Sequence, residues 1–275
     1  MTRAYKWIFL PFALCLNAAF ADNECHKNIF QIIGNHVNIE EYTSRSEEGV
    51  VVADSCKIWP YRPTITLAAF AHEINSPNDA PLKDMIVAMI DNKTNQIISS
   101  LQTIVGEDAL TEIDSSSLEL DTARYQLSDK VRAFGLRFHS SALGASCGEA
   151  NWNNQLTLFV PEGKKLRPML SIYMYQQRSL KGCLSVFLPD AVWENAEITL
   201  GMKKTYTNDL ADILVTAKIS PDFNESNTEN IKARTETYTL KYDGHKYVTA
   251  SKVPWWLNFY NDELWPIKEN TKSRY

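Results

Sequence analysis

The sequence has little of what nucleotide-dependent and metal-dependent enzymes require. Only 10 of its 275 residues are glycine, and it contains no phosphate-binding loop and no dinucleotide-binding glycine pattern. Its 5 histidines are scattered, and His72-Glu73 is not followed by the second histidine that a zinc-binding helix needs. The sequence therefore predicts no cofactor and no metal site.

Positive charge is also scarce. The chain has 28 Lys and Arg residues against 33 Asp and Glu residues, which gives a net charge of −5 at pH 7. Proteins that bind nucleic acid or anionic membranes present a basic face to the phosphates. We therefore expect no nucleic-acid partner, and modest acidity of this kind mainly favours solubility.

Long hydrophobic runs are confined to the beginning of the chain. Arg3 and Lys6 flank the start of an apolar stretch of about ten residues at 7–16, and small residues follow at 19–21. A membrane-spanning helix needs about 20 apolar residues, so this stretch is too short to be one. Residues 1–21 are therefore predicted to be a signal peptide, and no later stretch is predicted to span a membrane.

Export has consequences for the remaining chain. Cys15 is not predicted to be a lipidation site, because Leu14 precedes it where a lipoprotein signal needs a small residue. Loss of the two positive charges of the leader would change the net charge from −5 to −7. We predict that residues 22–275 form a single β-rich domain in the periplasm, an oxidising compartment.

Four cysteines follow the leader: Cys25, Cys56, Cys147 and Cys183. Their even number in an exported chain predicts two disulfides, and four cysteines allow three pairings. We favour Cys25–Cys56 and Cys147–Cys183 because both pairs are local. The second bridge would close a loop of about 36 residues and stabilise the fold by roughly 3–4 kcal/mol in the chain-entropy model.

Strand signals dominate the rest of the chain. At 132–138, large apolar residues alternate with Ala133, Gly135 and Arg137, a period of two that places one face of a strand in the core. Asp243-Gly244 predicts a tight turn. Pairs of apolar runs around polar loops predict hairpins at 85–90 with 97–98, at 156–160 with 170–175, at 198–202 with 213–219 around the polar loop 206–212, and at 235–240 with 246–250.

Successive hairpins predict a mainly β fold, in which antiparallel hairpins form a sandwich or propeller-like domain with few short helices. A closed barrel fits the same spacing. The helical pattern at 28–37 contains Gly34, which is compatible with an early end of the helix. Residues 59–63 read as an extended aromatic turn, and the acidic, serine-containing residues 106–120 predict a solvated connection.

A resemblance rests on the segments DTARY at 121–125, RAFGLRF at 132–138 and LTLFV at 156–160. Together they resemble a pattern in uncharacterised exported, periplasmic proteins of Gram-negative bacteria. The segment LKYDGHKY at 240–247 is similar to the terminal hairpin of many periplasmic β proteins. The resemblance covers about residues 54–250 and implies a periplasmic location and a β-rich fold, but no reaction and no site residues.

One segment matches a catalytic pattern by letter. Residues 144–148 fit Gly-x-Ser-x-Gly, with Ser146 in the nucleophile position. That motif needs a strand running directly into the turn and a helix leaving it, whereas the predicted strand ends near Phe138 and no helical pattern follows. The segment is better explained as a Gly/Ser turn that holds the disulfide of Cys147. No catalytic residue is predicted, and whether the protein is an enzyme stays open.

The C-terminal region is dense in aromatic residues. Trp and Tyr are enriched at interface hot spots, because they supply large contact areas. Packing over an open sheet edge is the structural alternative. The predicted binding residues are Trp255, Trp256, Phe259, Tyr260 and Trp265.

These observations favour a periplasmic binding or interaction protein without catalysis. One version is an inhibitor or immunity-type protein that docks on another envelope protein or on an incoming enzyme. The alternatives are a periplasmic hydrolase acting on cell-envelope sugar or peptide, and a structural component of the envelope. Facing carboxylates in a cleft would favour the hydrolase, and a large exposed apolar patch would favour the structural protein.

Overall fold

The computed structural model describes residues 25–74, 81–144, 148, 150–182, 191–223, 231–249 and 252–257. The helices in these residues are α1 (Lys27–Val37) and a short 3₁₀ helix (Arg45–Glu47). The strands are β1 (Val51–Ile58), β2 (Ile65–Glu73), β3 (Leu82–Asp91), β4 (Gln96–Gly106), β5 (Leu118–Gln126), β6 (Arg132–Phe138), β7 (Ala150–Glu162), β8 (Lys165–Lys181), β9 (Val192–Thr207), β10 (Leu210–Phe223), β11 (Arg234–Tyr242) and β12 (Tyr247–Val248). The predicted mainly β fold is confirmed. Within the described ranges, no helix has both the length and the apolar character needed to cross a membrane.

The strands form two antiparallel meanders that share one sheet. β1 to β4 pair in sequence order, and β5 to β12 do the same. The meanders meet where Ser100 of β4 pairs in parallel with Lys165 at the start of β8. Each strand thus lies beside its neighbour in sequence, as successive hairpins require. The four predicted hairpins are present as β3–β4, β7–β8, β9–β10 and β11–β12.

Side-chain alternation along the strands separates the core into layers. On β2, Leu67, Ala69 and Ala71 belong to a core shared with β5, β6 and β7. Ala68 and Phe70 lie on the opposite face of β2 and pack with α1. Successive side chains of a strand point to opposite faces, so β2 is buried on both of its faces. The other face of β7 and β8 forms a further core with β9, β10, β11 and the last described segment of the chain.

Helix α1 differs from the prediction at Gly34. This glycine lies inside the helix and is buried, and Asn38 in the left-handed conformation (φ 61°) caps the C-terminal end instead. A Cβ on residue 34 would come within 2.5 Å of the Cβ of Tyr42, so close packing explains the glycine. The predicted Cys25–Cys56 disulfide is confirmed and ties the start of α1 to β1.

Two turns also differ from the predictions. β9 and β10 extend to Thr207 and Leu210, so the expected polar loop at 206–212 is a tight turn. Its central residues Asn208 and Asp209 both have positive φ (49° and 68°). The Asp-Gly pair instead belongs to the longer loop 243–246, in which Gly244 has the positive φ.

The segment 106–120 is only partly the solvated connection that its acidic residues predict. Leu118 and Leu120 already belong to β5 and are buried. Ile113 is 4% exposed and packs in the core between the two meanders. Apolar residues spaced among the acidic ones therefore fix this connection to the core.

Candidate ligand-binding site

A pocket of about 300 Å³ opens where several distant segments of the chain meet. The turn after β1, the start of β6 and the β7–β8 hairpin all contribute residues to its wall. The β9–β10 turn and the end of β11 complete the wall. The lining residues are Trp59, Tyr61, Arg62, Lys130, Val131, Arg132, Val160, Pro161, Glu162, Arg167, Met169, Asn208, Leu210 and Tyr242, and we call this site the basic pocket.

The basic pocket concentrates positive charge in a chain that is acidic overall. Arg62, Lys130, Arg132 and Arg167 line it, against one carboxylate, that of Glu162. The lining therefore carries a net charge of +3, whereas the whole chain carries −5. A concave wall of one charge sign focuses the field of its residues. The basic pocket is thus a place in the described chain where an anion would be attracted.

Arg167 is fixed by contacts on both sides of the β7–β8 hairpin. Its Nε lies 3.2 Å from Oε2 of Glu162, across the turn. Its Nη atoms donate to the hydroxyl of Tyr242 at 3.5 Å and to the backbone carbonyl of His245. The Tyr242 hydroxyl in turn donates to the carbonyl of Gly244 at 2.8 Å. These contacts hold the guanidinium group in place before any ligand binds.

Arg132 and Trp59 bring hydrogen-bond donors that are not used within the described chain. The guanidinium of Arg132 lies over the ring of Tyr61, 5.0 Å from its centre. The Nε of Arg132 and the indole Nε1 of Trp59 are both buried and have no acceptor among the described residues. The Nε of Arg167 is likewise buried without a hydrogen-bond acceptor, although it forms an ion pair with Glu162. Buried donors are usually paired, so these three are exceptions within the described chain.

The turn that carries the aromatic side of the pocket is held by backbone hydrogen bonds. The N–H of Arg62 donates to the carbonyl of Trp59 at 2.9 Å, and the N–H of Ile65 donates to the carbonyl of Arg62 at 2.8 Å. The indole of Trp59 contacts the rings of Tyr61 and Phe134 edge-on, at 5.3 and 5.9 Å between centres. This packing leaves Trp59 only 2% exposed and gives the pocket a rigid aromatic wall.

Apolar residues form another part of the wall. Val160, Met169 and Leu210 line the pocket and are each less than 10% exposed. The lining residues include no histidine, serine or cysteine, and the side chain of Glu162 is 66% exposed and paired with Arg167. The basic pocket therefore offers apolar area and donors for an anion, the usual composition of a small-molecule site. It does not offer a pair of facing carboxylates.

Two of the five aromatic residues predicted to bind a partner, Trp255 and Trp256, lie in the described part of the chain. Trp256 is 1% exposed, and its indole Nε1 donates to Oε2 of Glu236 at 2.6 Å. Trp255 is half-buried beneath the guanidinium of Arg178, 4.3 Å from its ring centre. Neither residue lines the basic pocket, and both pack with the core formed by β7 to β11. Phe259, Tyr260 and Trp265 lie outside the described residues, and a binding role of these five aromatics stays a prediction.

The candidate catalytic segment is described only at its ends. Ser146 and Cys147 lie outside the described residues, as does Cys183, so neither the nucleophile pattern nor the second disulfide is tested. His139, the nearest histidine in sequence, has its Nε2 3.8 Å from Oε2 of Glu119.

Sequence reasoning missed the basic pocket because its residues come from five segments that the fold alone brings together. The aromatic turn at 59–63 was recognised as a turn, but its proximity to Arg132 and Arg167 follows from the pairing of β5 to β8. One signal was present in the sequence: basic residues at the starts of β6 and β8 point to the same end of the second meander.

Among the described residues, no three His, Cys, Asp or Glu side chains lie close enough together to hold a metal ion. In comparisons with known proteins, no protein-family model, no curated protein and no solved structure matches this chain. The function is therefore inferred from the chemistry of the basic pocket.

Proposed function

We propose that the protein is an exported, non-catalytic binding protein of the periplasm, and that the basic pocket is its ligand site. The ligand carries negative charge and belongs to a small molecule of the envelope or to another protein there. The signal-peptide pattern supports export, and the Cys25–Cys56 disulfide is compatible with an oxidising compartment.

One observation carries the proposal: a local charge of +3 at a pocket in an acidic chain. Placing several cations together is unfavourable unless something compensates their charge. Glu162 compensates one of them. A bound anion would compensate the others, and guanidinium groups form strong charge-assisted hydrogen bonds with anions.

Binding is favoured over hydrolysis by the composition of the wall. Acid–base catalysis needs a titratable group whose pKa lies near the working pH and which reaches the substrate. The charged groups of the basic pocket are three arginines, one lysine and one exposed glutamate. Such groups position and neutralise an anion, and the lining residues include no histidine and no second carboxylate for acid–base work.

A thermal-shift experiment with four hexyl compounds tests the proposal. Hexanoate, hexyl phosphate and hexanesulfonate share one alkyl chain and differ in the anionic group, and hexanamide is the neutral control. At ten times its Kd, at least one of the anions should raise the Tm of the wild-type protein by about 3 °C, and hexanamide should have a smaller effect.

Two variants locate the effect. Arg132→Met should reduce the shift strongly relative to its own unliganded Tm, because the pocket loses one of its positive charges. Arg124→Met removes an exposed arginine of β5 outside the pocket and should keep the wild-type shift. No shift with any anion, or a shift in Arg132→Met as large as in the wild-type protein, would contradict the proposed function.

A further inference from the structure

We infer that the end of the molecule around the basic pocket docks on the surface of an anionic phospholipid bilayer. Six turns form this end, which we call the basic end: 59–64, 92–95, 127–131, 163–164, 208–209 and 243–246. The inference goes beyond the proposed function. It concerns the surface around the basic pocket and holds whichever small anion the pocket binds.

The strand topology brings the six turns to one end of the molecule. Neighbouring strands of each meander are antiparallel, so alternate connections lie at the same end. Ser100 of β4 pairs in parallel with Lys165 at the start of β8, which aligns the two meanders. Five of the six hairpins contribute residues to the basic pocket. In the remaining one, Nδ2 of Asn92 donates to the carbonyl of Pro63 in the β1–β2 turn at 3.2 Å.

The basic end is positively charged although the chain is acidic. Counted with the three residues on either side, the six turns hold eleven Lys and Arg residues and six Asp and Glu residues, whereas the whole chain holds 28 and 33. The β4–β5 connection at the opposite end, 107–117, holds four carboxylates and no Lys or Arg. The net charge of the chain therefore conceals two ends of opposite sign, and the basic end is the one that an anionic surface attracts.

Cations at the basic end are exposed and available to an external anion. At the opposite end, by contrast, Nζ of Lys83 lies 2.9 Å from Oε2 of Glu107. Four exposed cations of the basic end form no ion pair with any described residue: Arg62, Lys130, Lys164 and Lys165. Each Lys or Arg close to an anionic membrane surface strengthens binding about fivefold. Several such residues on one end are therefore sufficient for membrane association.

Exposed aromatic residues lie among these cations. Tyr206, beside the β9–β10 turn, is 59% exposed, and Tyr61 in the β1–β2 turn is exposed as well. Ile58, at the end of β1, adds an exposed aliphatic side chain. Tyr is enriched at membrane–water interfaces, where its ring lies at the level of the lipid headgroups. The basic end thus combines the two residue classes that contact the interfacial layer of a bilayer.

Two features favour a bilayer over other anionic partners. Lysine supplies seven of the eleven cations, and protein–protein interfaces are depleted in lysine. A soluble polyanion is held by charge, so the exposed rings of Tyr61 and Tyr206 would add little to its binding. A bilayer engages both classes of residue, because its phosphates attract the cations and its interfacial layer accommodates the tyrosine rings.

Co-sedimentation of residues 22–275 with lipid vesicles tests the inference. One set of vesicles contains phosphatidylglycerol and phosphatidylcholine in equal parts, and the other contains phosphatidylcholine alone. At low salt, the partition coefficient on the anionic vesicles should be at least about tenfold higher, since several cations face the membrane surface. It should fall as salt is added, because salt screens exposed charges.

Two matched pairs of variants locate the contact surface. Lys164→Glu, just before β8, should lower partitioning at least about fivefold, and Lys181→Glu, at the other end of the same strand, should leave it unchanged. Tyr206→Ser should lower partitioning about threefold through loss of the interfacial ring. Leu110→Ser is the control, because Leu110 is also 59% exposed but lies in the acidic connection. The Tm of each variant without vesicles shows that it is folded.

Four results would overturn the inference. They are equal partitioning on the two kinds of vesicle, equal losses in Lys164→Glu and Lys181→Glu, wild-type partitioning of Tyr206→Ser, and sedimentation of the protein without vesicles. The third would indicate a surface that binds polyanions by charge alone, and the fourth would indicate association between the oppositely charged ends of two copies. The proposed function fails separately, through the absence of an Arg132-dependent thermal shift with the small anions.

Discussion

Glu194 shows how a buried charge is accommodated at the scale of single residues. Its side chain is 3% exposed, and its Oε2 accepts hydrogen bonds from Nη2 and Nε of Arg178 at 2.7 and 3.1 Å. Its Oε1 pairs with Arg234. Burial raises the pKa of the Glu194 carboxyl, but the hydrogen bonds from Arg234 and Arg178 outweigh burial and hold the pKa below its ordinary value. The carboxylate therefore links β8, β9 and β11.

Glu194→Gln should lower the free energy of unfolding by about 3 kcal/mol, because both arginines lose their buried partner. The value belongs at the low end of the range for broken buried pairs, since both arginine side chains are more than a third exposed and can be hydrated. Urea unfolding at pH 7 measures the change. Glu119→Gln, whose carboxylate is 56% exposed, should change stability by less than about 1 kcal/mol. Equal losses in the two variants would contradict this role of Glu194.

His72 is a second buried titratable residue, between β1 and β3 on the face covered by α1. Its Nδ1 lies 3.2 Å from the hydroxyl of Tyr42, and its Nε2 lies 3.7 Å from Oδ2 of Asp84. Asp84 Oδ2 also accepts a hydrogen bond from Gln102. Burial lowers the pKa of His72 below 6.5, and the charge of Asp84 opposes this only in part. The neutral imidazole is therefore the form that the folded protein favours.

The pH dependence of stability follows from this direction. In the unfolded chain His72 titrates near 6.5, so below that pH the unfolded state binds a proton that the folded state does not. Stability should fall as the pH is lowered from about 7.5 through 6.5 towards the lower pKa of the folded state. His72→Gln should flatten this slope in urea unfolding series, and His139→Gln should keep it. A wild-type slope in His72→Gln would exclude His72 as its source.

At the scale of elements, the β9–β10 hairpin depends on its two-residue turn. Asn208 and Asp209 both have positive φ, the combination that lets a tight turn follow the twist of its strands. Asn at the first position tolerates this conformation and donates from Nδ2 to the carbonyl of Tyr242 at 2.8 Å. Asp209 is less suited, because glycine is the preferred residue at the second position.

Asp209→Gly should therefore raise the free energy of unfolding by about 0.5 kcal/mol, and Asp209→Ala should lower it by about 1 kcal/mol. Thermal unfolding compares both variants with the wild-type protein. Asp129→Gly changes an exposed loop aspartate outside the positive-φ positions and should give no gain. A loss of stability in Asp209→Gly would show that its side chain, rather than its backbone conformation, supports the turn.

Elements were the part of the structure that the sequence predicted best. Strand alternation and turn residues are local signals, so all four hairpins could be predicted without knowing how the sheet is assembled. The errors also have local causes. By propensity alone, Gly34 is compatible with an early end of the helix, because a propensity rule ignores packing against Tyr42. The polar residues at 206–212 predict a long loop instead of a tight turn, because exposed strand ends and loops have similar compositions.

At the scale of the whole molecule, prediction from the sequence stopped where distant segments meet. The Cys25–Cys56 disulfide could be predicted from chain order and number. The basic pocket could not, because strands β2 to β5 separate Trp59 from Arg132 along the chain, and β7 lies between Arg132 and Arg167. The predicted aromatic residues were conspicuous by composition, yet Trp256 is almost completely buried and hydrogen-bonded to Glu236 and Gln176. Composition identifies segments rich in large aromatic side chains, but it does not say whether those side chains face solvent or the core.

The central claim is that an anion with an apolar group occupies the basic pocket. The most direct measurement is a crystal of the wild-type protein soaked with 6-bromohexanoate and recorded at the bromine absorption edge. The account predicts a bromine peak against Met169 and Leu210, with the carboxylate within hydrogen-bonding distance of Arg132. If the acid binds in solution and its bromine peak lies anywhere outside this pocket, the account is contradicted.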